Sequence, residues 1–299
     1  MLKKNPLFVI GPTASGKTAL ALQLAHRYNA EIISADSRQV YRRMDIGTGK
    51  DLALYQEAKI AYHLIDIVEP TEEFNLYRYH ELFFTALSRI ASARKNAIIA
   101  GGTGLYISAM LEGYRLPTAS RNTKLRDNLK SYSQEELNKE LLALDYRPHN
   151  QTDLGERERT IRAIEVALAR RLSTEQQNPP FEKPLIIGIS LPMDTIREKI
   201  VRRLNEKMRN GLIDEVLNLR KEGISFVRLE ALGLEYRYIA LFLRGELSLA
   251  EMEKLLAIRI GQFSKRQMSW FRRMEKRGWK IHWLQGEEEA EKIITQEWE

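Results

Sequence analysis

Residues 7–39, LFVIGPTASGKTALALQLAHRYNAEIISADSRQ, constrain this chain more than any other stretch. An apolar run, Leu7 to Ile10, leads straight into Gly11, and Gly11, Gly16, Lys17 and Thr18 fill the phosphate-loop spacing G-x-x-x-x-G-K-[ST]. The pattern predicts a strand, a glycine loop, a helix over residues 18–28 and a second strand over 31–35. In that setting Gly11, Pro12, Thr13, Ala14, Ser15, Gly16, Lys17 and Thr18 wrap a phosphate in backbone N–H groups. The helix dipole adds partial positive charge at the same place and Lys17 adds a full one. Thr18 offers a hydroxyl to Mg²⁺. The loop alone leaves the phosphate open, a nucleotide such as ATP included.

The second strand ends in Asp36. Open parallel sheets bind ligands at the carboxyl ends of their strands, so Asp36-Ser37-Arg38-Gln39 is expected beside the loop. Further strands are expected over residues 62–67, 96–100, 185–191 and 279–284. Helices are expected over 76–94, 156–171, 194–210 (capped by Asp194), 213–221, 236–243 and 249–277. Asp66 reads as a capping or turn carboxylate. The strand over 96–100 ends in Gly101-Gly102-Thr103-Gly104, where a nucleotide-hydrolysing phosphate-loop protein carries a Mg²⁺-binding acid. That substitution argues for a phosphate bound for something other than hydrolysis, and it puts the Thr103 hydroxyl at the mouth of the site.

Strand character vanishes between Pro117 and the breaker string ending at Pro180, and the segment is helical in period. The fold class that follows is α/β. Residues 1–116 and 184–299 form a P-loop NTPase-like core with a parallel sheet flanked by helices, and residues 117–183 form an inserted all-helical domain.

Charge is concentrated near the C-terminus. The chain of 299 residues carries a formal +7, and residues 257–280 hold eight basic residues against the single acid Glu275. In the helix expected there, Ile260, Phe263, Trp270 and Met274 form one apolar stripe, with Arg259, Arg266, Arg273 and Arg277 on another face. Such a stripe fits a polyanion such as nucleic acid, or else a solvated helix face. There is no cysteine, and the five histidines, at 26, 63, 80, 149 and 282, show no metal-ligand spacing. No apolar run reaches a membrane span and the N-terminus leaves no room for a signal peptide. A cytoplasmic protein whose metal is Mg²⁺ is expected, and nothing demands more than a monomer.

Six motifs in order, GPTASGKT at 11–18, DSRQVYRRMDIGTGK at 36–50, HLIDI at 63–67, GGTGLY at 101–106, RAIEV at 162–166 and KRQMSWFR at 265–272, give the chain its family resemblance. It resembles the tRNA dimethylallyltransferases, also called tRNA isopentenyltransferases. The resemblance implies transfer of a dimethylallyl group from dimethylallyl diphosphate to N6 of the adenosine next to the anticodon, in tRNAs reading codons that begin with U, with release of pyrophosphate. It implies Lys17, the loop and Mg²⁺ at Thr18 on the diphosphate, Asp36 as the carboxylate at the attacking nitrogen, and Thr103 near the bridging oxygen. For the tRNA anticodon stem-loop it implies contacts from Asp36, Ser37, Arg38, Gln39, Thr103, Arg126, Glu158, Arg159, Thr160, Ile161, Arg162, Lys265, Arg266 and Gln267. Where the family commonly has Thr-Arg-Gln, this chain has Ile260-Gly261-Gln262, with Arg259 two positions before the missing arginine.

Two other functions use the same loop. A small-molecule P-loop kinase, or a prenyltransferase acting on free adenine nucleotide, would keep the loop and Asp36 but leaves the insertion and the basic helix without a role. A nucleotide-gated RNA-binding protein would need both but would have no use for Asp36.

Overall fold

The structure, a computed structural model, describes residues 5–113, 122–144, 152–171, 180–284 and 287–298. His149 and residues 176–179 of the breaker string lie outside the described residues. The chain divides into two compact units, Met1–Leu111 with Pro180–Glu299, and Glu112–Pro179.

In the first unit β1 (Leu7–Ile10), α1 (Lys17–Arg27), β2 (Ala30–Ser34), α2 (Asp45–Thr48), α3 (Leu52–Ala58), β3 (Tyr62–His63), α4 (Leu76–Ser92), β4 (Asn96–Gly101) and α5 (Gly104–Leu111) follow one another. The second unit holds α6 (Thr123–Leu129), α7 (Gln134–Ala143), α8 (Thr152–Gly155) and α9 (Arg157–Arg171). The first unit resumes with β5 (Leu185–Ile189), α10 (Met193–Arg209), α11 (Leu212–Lys221), α12 (Phe226–Leu232), α13 (Leu234–Leu243), α14 (Leu249–Lys276), β6 (His282–Leu284) and α15 (Glu287–Glu297). The six strands form one sheet in the order β3-β2-β4-β1-β5-β6, with every pairing parallel.

The sheet follows from its sequence. β1 is apolar at all four positions and buried at all four, as a central parallel strand covered on both faces must be. Leu7 and Val9 pack with Leu20, Leu24, Ile32 and Ile98 on one side. Phe8 meets Phe181, which in turn meets Phe83 of α4, by edge contacts. Asn75 caps α4 by accepting from the Arg78 N–H, and Tyr79, Phe83, Leu87 and Ile90 repeat at helical spacing into the core. Each such apolar side chain contributes roughly 1.5–3 kcal/mol on burial. A second cluster joins Val40, Tyr41 and Met44 to buried residues of α10 to α14, so the segment after β2 is clamped by the C-terminal helices. Lys50, with a fully buried side chain, reinforces that clamp by reaching Asp45 at 2.6 Å and also Asp66.

Several expectations change here. The strand over 62–67 shrinks to Tyr62–His63, because Leu64 and Asp66 take φ of 62° and 55° and turn the chain toward Lys50. Asp194 does not cap α10. Pro192 occupies the cap position, and Asp194 lies in the first turn paired with Arg197 at 2.9 Å. Helix α12, capped by Ser225 onto the Arg228 N–H, was not expected. On α14 the buried stripe runs through Met252, Leu256, Ile260, Ser264, Gln267, Phe271 and Met274, while Phe263 is 39% exposed.

The second unit has its own small core of Leu129, Leu137, Leu141, Ile161, Ile164 and Ala167. Ser133 and Glu136 close a capping box at the start of α7. Among described residues no helix is long and apolar enough to cross a membrane.

Candidate active site

Strand order assembles the site. β4 lies between β2 and β1, with Ser34 beside Ala100 and Ile10 beside Gly101. The segments leaving these three strands at their carboxyl ends are Asp36-Ser37, Gly101-Gly102-Thr103 and the phosphate loop, so topology alone makes them neighbours. The approach is close: a Cβ on Gly101 would stand 2.2 Å from the Ala35 carbonyl oxygen, and one on Gly102 would stand 2.3 Å from Gln267 Nε2. The first contact is with backbone and only glycine permits it, while the second is with the end of the Gln267 side chain, which a larger residue would displace. Thr103 is held there by its N–H to the Ala35 carbonyl at 3.1 Å, and its Oγ1 accepts from the Ser37 N–H at 3.0 Å. Asp36 accepts from the Arg38 N–H at 2.8 Å, which fixes its carboxylate at the turn.

The loop itself is left open for an anion. Gly16 is the N-cap of α1, with φ of 94°, and no side chain caps the helix. Ala14 holds φ of 62°, a strained backbone of the kind that functional loops retain. The Ser15 hydroxyl is buried without a hydrogen-bond partner among the described residues. Lys17 Nζ donates to the Pro12 carbonyl at 3.2 Å. Burial lowers its pKa from 10.5 to about 8, Asp36 opposes that shift and Arg203 adds to it.

A pocket runs from Thr13, Lys17 and Thr18 past Asp36, Gln39 and Tyr55 to Arg203, Phe263 and Gln267. Three of these walls come from residues that no motif marked. Arg203 of α10 donates to the Gly49 carbonyl at 3.3 Å and to Asp51 at 2.8 Å. Tyr55 comes from α3 and Phe263 from α14. The signal available for Arg203 was weak: a basic residue on an amphipathic helix, one among several.

Two residues expected at the RNA also hold the site together. Gln267 is buried, accepts from the Thr13 N–H at 2.8 Å and donates to the Gly102 carbonyl at 2.9 Å, so it braces the phosphate loop against the Thr103 loop. Gln39 likewise accepts from the Ser34 hydroxyl at 2.9 Å and donates to the Gly49 carbonyl at 3.2 Å. Lys265 and Arg266 are exposed on α14, along with Arg272 and Arg273, and Arg38 is exposed beside Asp36. The guanidinium of Arg273 lies 5.1 Å from the Trp270 ring centroid, and Trp270 donates to the Ser108 hydroxyl at 2.9 Å. Arg259 donates to the Tyr238 hydroxyl at 3.0 Å and to Gln262 Oε1 at 3.0 Å.

In the second unit Thr160 and Ile161, both expected at an RNA surface, are buried. Thr160 bonds the Glu156 carbonyl and Gln134, and Ile161 belongs to the core. Arg126, Glu158, Arg159 and Arg162 do reach solvent. The organising residue among them is Glu165, which no expectation singled out. Its side chain is 1% exposed, and it accepts from Arg126 Nε at 2.8 Å, Arg162 at 2.9 Å and the Asn122 N–H at 3.1 Å. Burial alone would raise its carboxyl, yet these donors hold it below the usual range.

Fold and site together define a P-loop NTPase-like protein in which the loop faces a carboxylate and a threonine hydroxyl at the strand ends. The chain belongs to the IPP transferase family, which matches residues 39–274. It is similar to tRNA dimethylallyltransferase 1 of Syntrophus aciditrophicus, 47% identical over 291 residues, covering 96% of this chain and 95% of that one. Similarity to tRNA dimethylallyltransferase 2 of Trichlorobacter lovleyi is 47% identity over 283 residues, covering 94% and 92%. Among solved structures, the full-length tRNA isopentenylpyrophosphate transferase of Bacillus halodurans superposes with a TM-score of 0.71 at 29% identity, over 99% of this chain and 97% of that one.

Proposed function

We propose that the chain transfers a dimethylallyl group from dimethylallyl diphosphate to N6 of an adenosine in the tRNA anticodon stem-loop, releasing pyrophosphate. The observation that carries this reading is the placement of Asp36 and Thr103 at the same strand ends as the phosphate loop. The N6 lone pair of adenine is delocalised into the ring, so the amine is a weak nucleophile and catalysis must come largely from the leaving group. Loop N–H groups, Lys17 and Arg203 supply positive charge where the departing pyrophosphate develops its own. Asp36 accepts a hydrogen bond from N6–H, orients the amine and takes its proton as the C–N bond forms and the C–O bond to the diphosphate breaks. Thr103 donates to the bridging oxygen.

Mg²⁺ fits this donor set. Thr18 brings a hard hydroxyl oxygen to the pocket, and Mg²⁺ characteristically takes few protein oxygens plus substrate phosphates. When bound, it would neutralise charge on the leaving group.

An adenine in a stacked loop exposes N6 poorly, so the base must leave its stack to reach Asp36. The exposed α14 arginines and Arg38 suit the phosphates of that loop. Asp36→Asn tests the reading: turnover should fall about 10²–10⁴-fold, the range for loss of a general base, with RNA affinity changed far less. Retained turnover in that variant would remove Asp36 from the chemistry.

A further inference from the structure

Tyr55 is a pocket residue that the reading above leaves unused. Its ring is buried, with the residue 4% exposed, and packs edge-on against Tyr62 at 4.9 Å. It nonetheless lines the pocket with Lys17, Thr18, Asp36 and Arg203. No described group bonds its hydroxyl. Nor is that oxygen fully buried, as the unpartnered hydroxyls of Ser15, Tyr28 and Ser264 are. Asp36, itself a pocket wall, acts on the phenol electrostatically, which puts the hydroxyl end on the pocket side.

The surroundings decide what the hydroxyl can do. Burial, then Asp51, Tyr62 and Asp36, push the phenol well above its usual range, so it stays protonated and acts as a donor. Neither nearby carboxylate bonds it: Asp51 accepts from Arg203 at 2.8 Å and Asp36 from the Arg38 N–H at 2.8 Å. Polar groups this deep nearly always find a partner, and here the chain provides none. An acceptor brought by a ligand, on the side of the pocket where Lys17, Thr18 and Arg203 stand, would take the place of solvent there.

We propose that Tyr55 is a diphosphate-binding residue whose hydroxyl donates a hydrogen bond to a non-bridging oxygen of the diphosphate in the loop. The assignment rests on reading that loop as the site of the prenyl donor's diphosphate. Asp36 and Asp51 make the pocket less welcoming to an anion than a bare phosphate loop would be. A neutral donor that adds no charge to repel Lys17 or Arg203 offsets part of that.

Tyr55→Phe isolates the hydroxyl, because the buried ring keeps its packing and no protein hydrogen bond is lost. The melting temperature of the free protein should therefore stay the same or rise. Titration of wild type and variant with inorganic pyrophosphate in Mg²⁺ should show Kd about tenfold weaker in the variant, the low end for a hydrogen bond to a charged acceptor. KM for dimethylallyl diphosphate should rise by the same factor while KM for the RNA does not move. Equal pyrophosphate affinity in the two proteins overturns the role of Tyr55 and leaves the loop reading standing. So does a rise in the RNA KM alone. Wild-type protein that binds no pyrophosphate overturns the loop reading itself, and Tyr55 with it.

Discussion

Binding of the diphosphate should depend on pH in a way that Lys17 dictates. In the free protein burial lowers its pKa to about 8, with Arg203 working in the same direction and Asp36 against it. A diphosphate in the loop brings negative charge next to the ammonium and raises its pKa in the complex. The sign follows from that order: the Lys17 contribution is fully present below the free-protein value and is lost as pH climbs above it. With a free pKa of about 8, Lys17 is about nine-tenths protonated at pH 7 and about 3% protonated at pH 9.5. Affinity should therefore fall about 30-fold across that interval, about 2 kcal/mol at ~1.4 kcal/mol per pH unit. The terminal phosphate of dimethylallyl diphosphate completes its ionisation near the low end of this range, which works toward tighter binding as pH climbs, so a fall read by isothermal titration without RNA belongs to the protein. Lys17→Arg keeps its charge at every pH used and should give a flat profile. A flat wild-type profile, or an equal fall in wild type and Lys17→Arg, would refute the assignment of Lys17 to the diphosphate.

Other consequences are as concrete. Gln267→Leu strips partners from the Thr13 N–H and the Gly102 carbonyl, so it should cost about 1–3 kcal/mol of stability and weaken diphosphate binding, read by calorimetry and titration; unchanged values for both would show that the brace is idle. Reversing Arg266 and Arg273 to Glu should weaken RNA binding and lower the log-log salt slope by about 1.5, since each phosphate contact contributes about 0.7–0.9. An unchanged slope would mean that α14 presents a solvated face instead. Asp36→Asn, as above, should separate turnover from RNA affinity.

What could be read from the sequence was what is local in the chain. The phosphate loop occupies consecutive residues, and Asp36 and Thr103 follow from the rule that parallel sheets present ligands at strand ends. Arg203 and Tyr55 carry no motif. They reach the pocket only because α10 and α3 fold back over the loop, a long-range fact that spacing does not encode. Gln267, Thr160 and Ile161 were expected at an RNA surface, but helix phase and burial turn them inward. The phase of α14 was legible in principle, since Ile260, Ser264, Gln267, Phe271 and Met274 repeat at alternating steps of four and three. Assigning Phe263 to the stripe in place of Gln267 followed hydrophobicity where periodicity was the better guide. The strand over 62–67 failed because its apolar letters hide two left-handed residues, Leu64 and Asp66.

The most direct test supplies purified protein with Mg²⁺, dimethylallyl diphosphate labelled in the prenyl group, and an unmodified anticodon stem-loop with adenosines on its 3′ side. Free AMP serves as the parallel acceptor. Prenyl transfer to tRNA predicts label in the RNA, none in AMP, and one pyrophosphate released per label transferred. Label in AMP, or no transfer to an RNA that nevertheless binds, would contradict it.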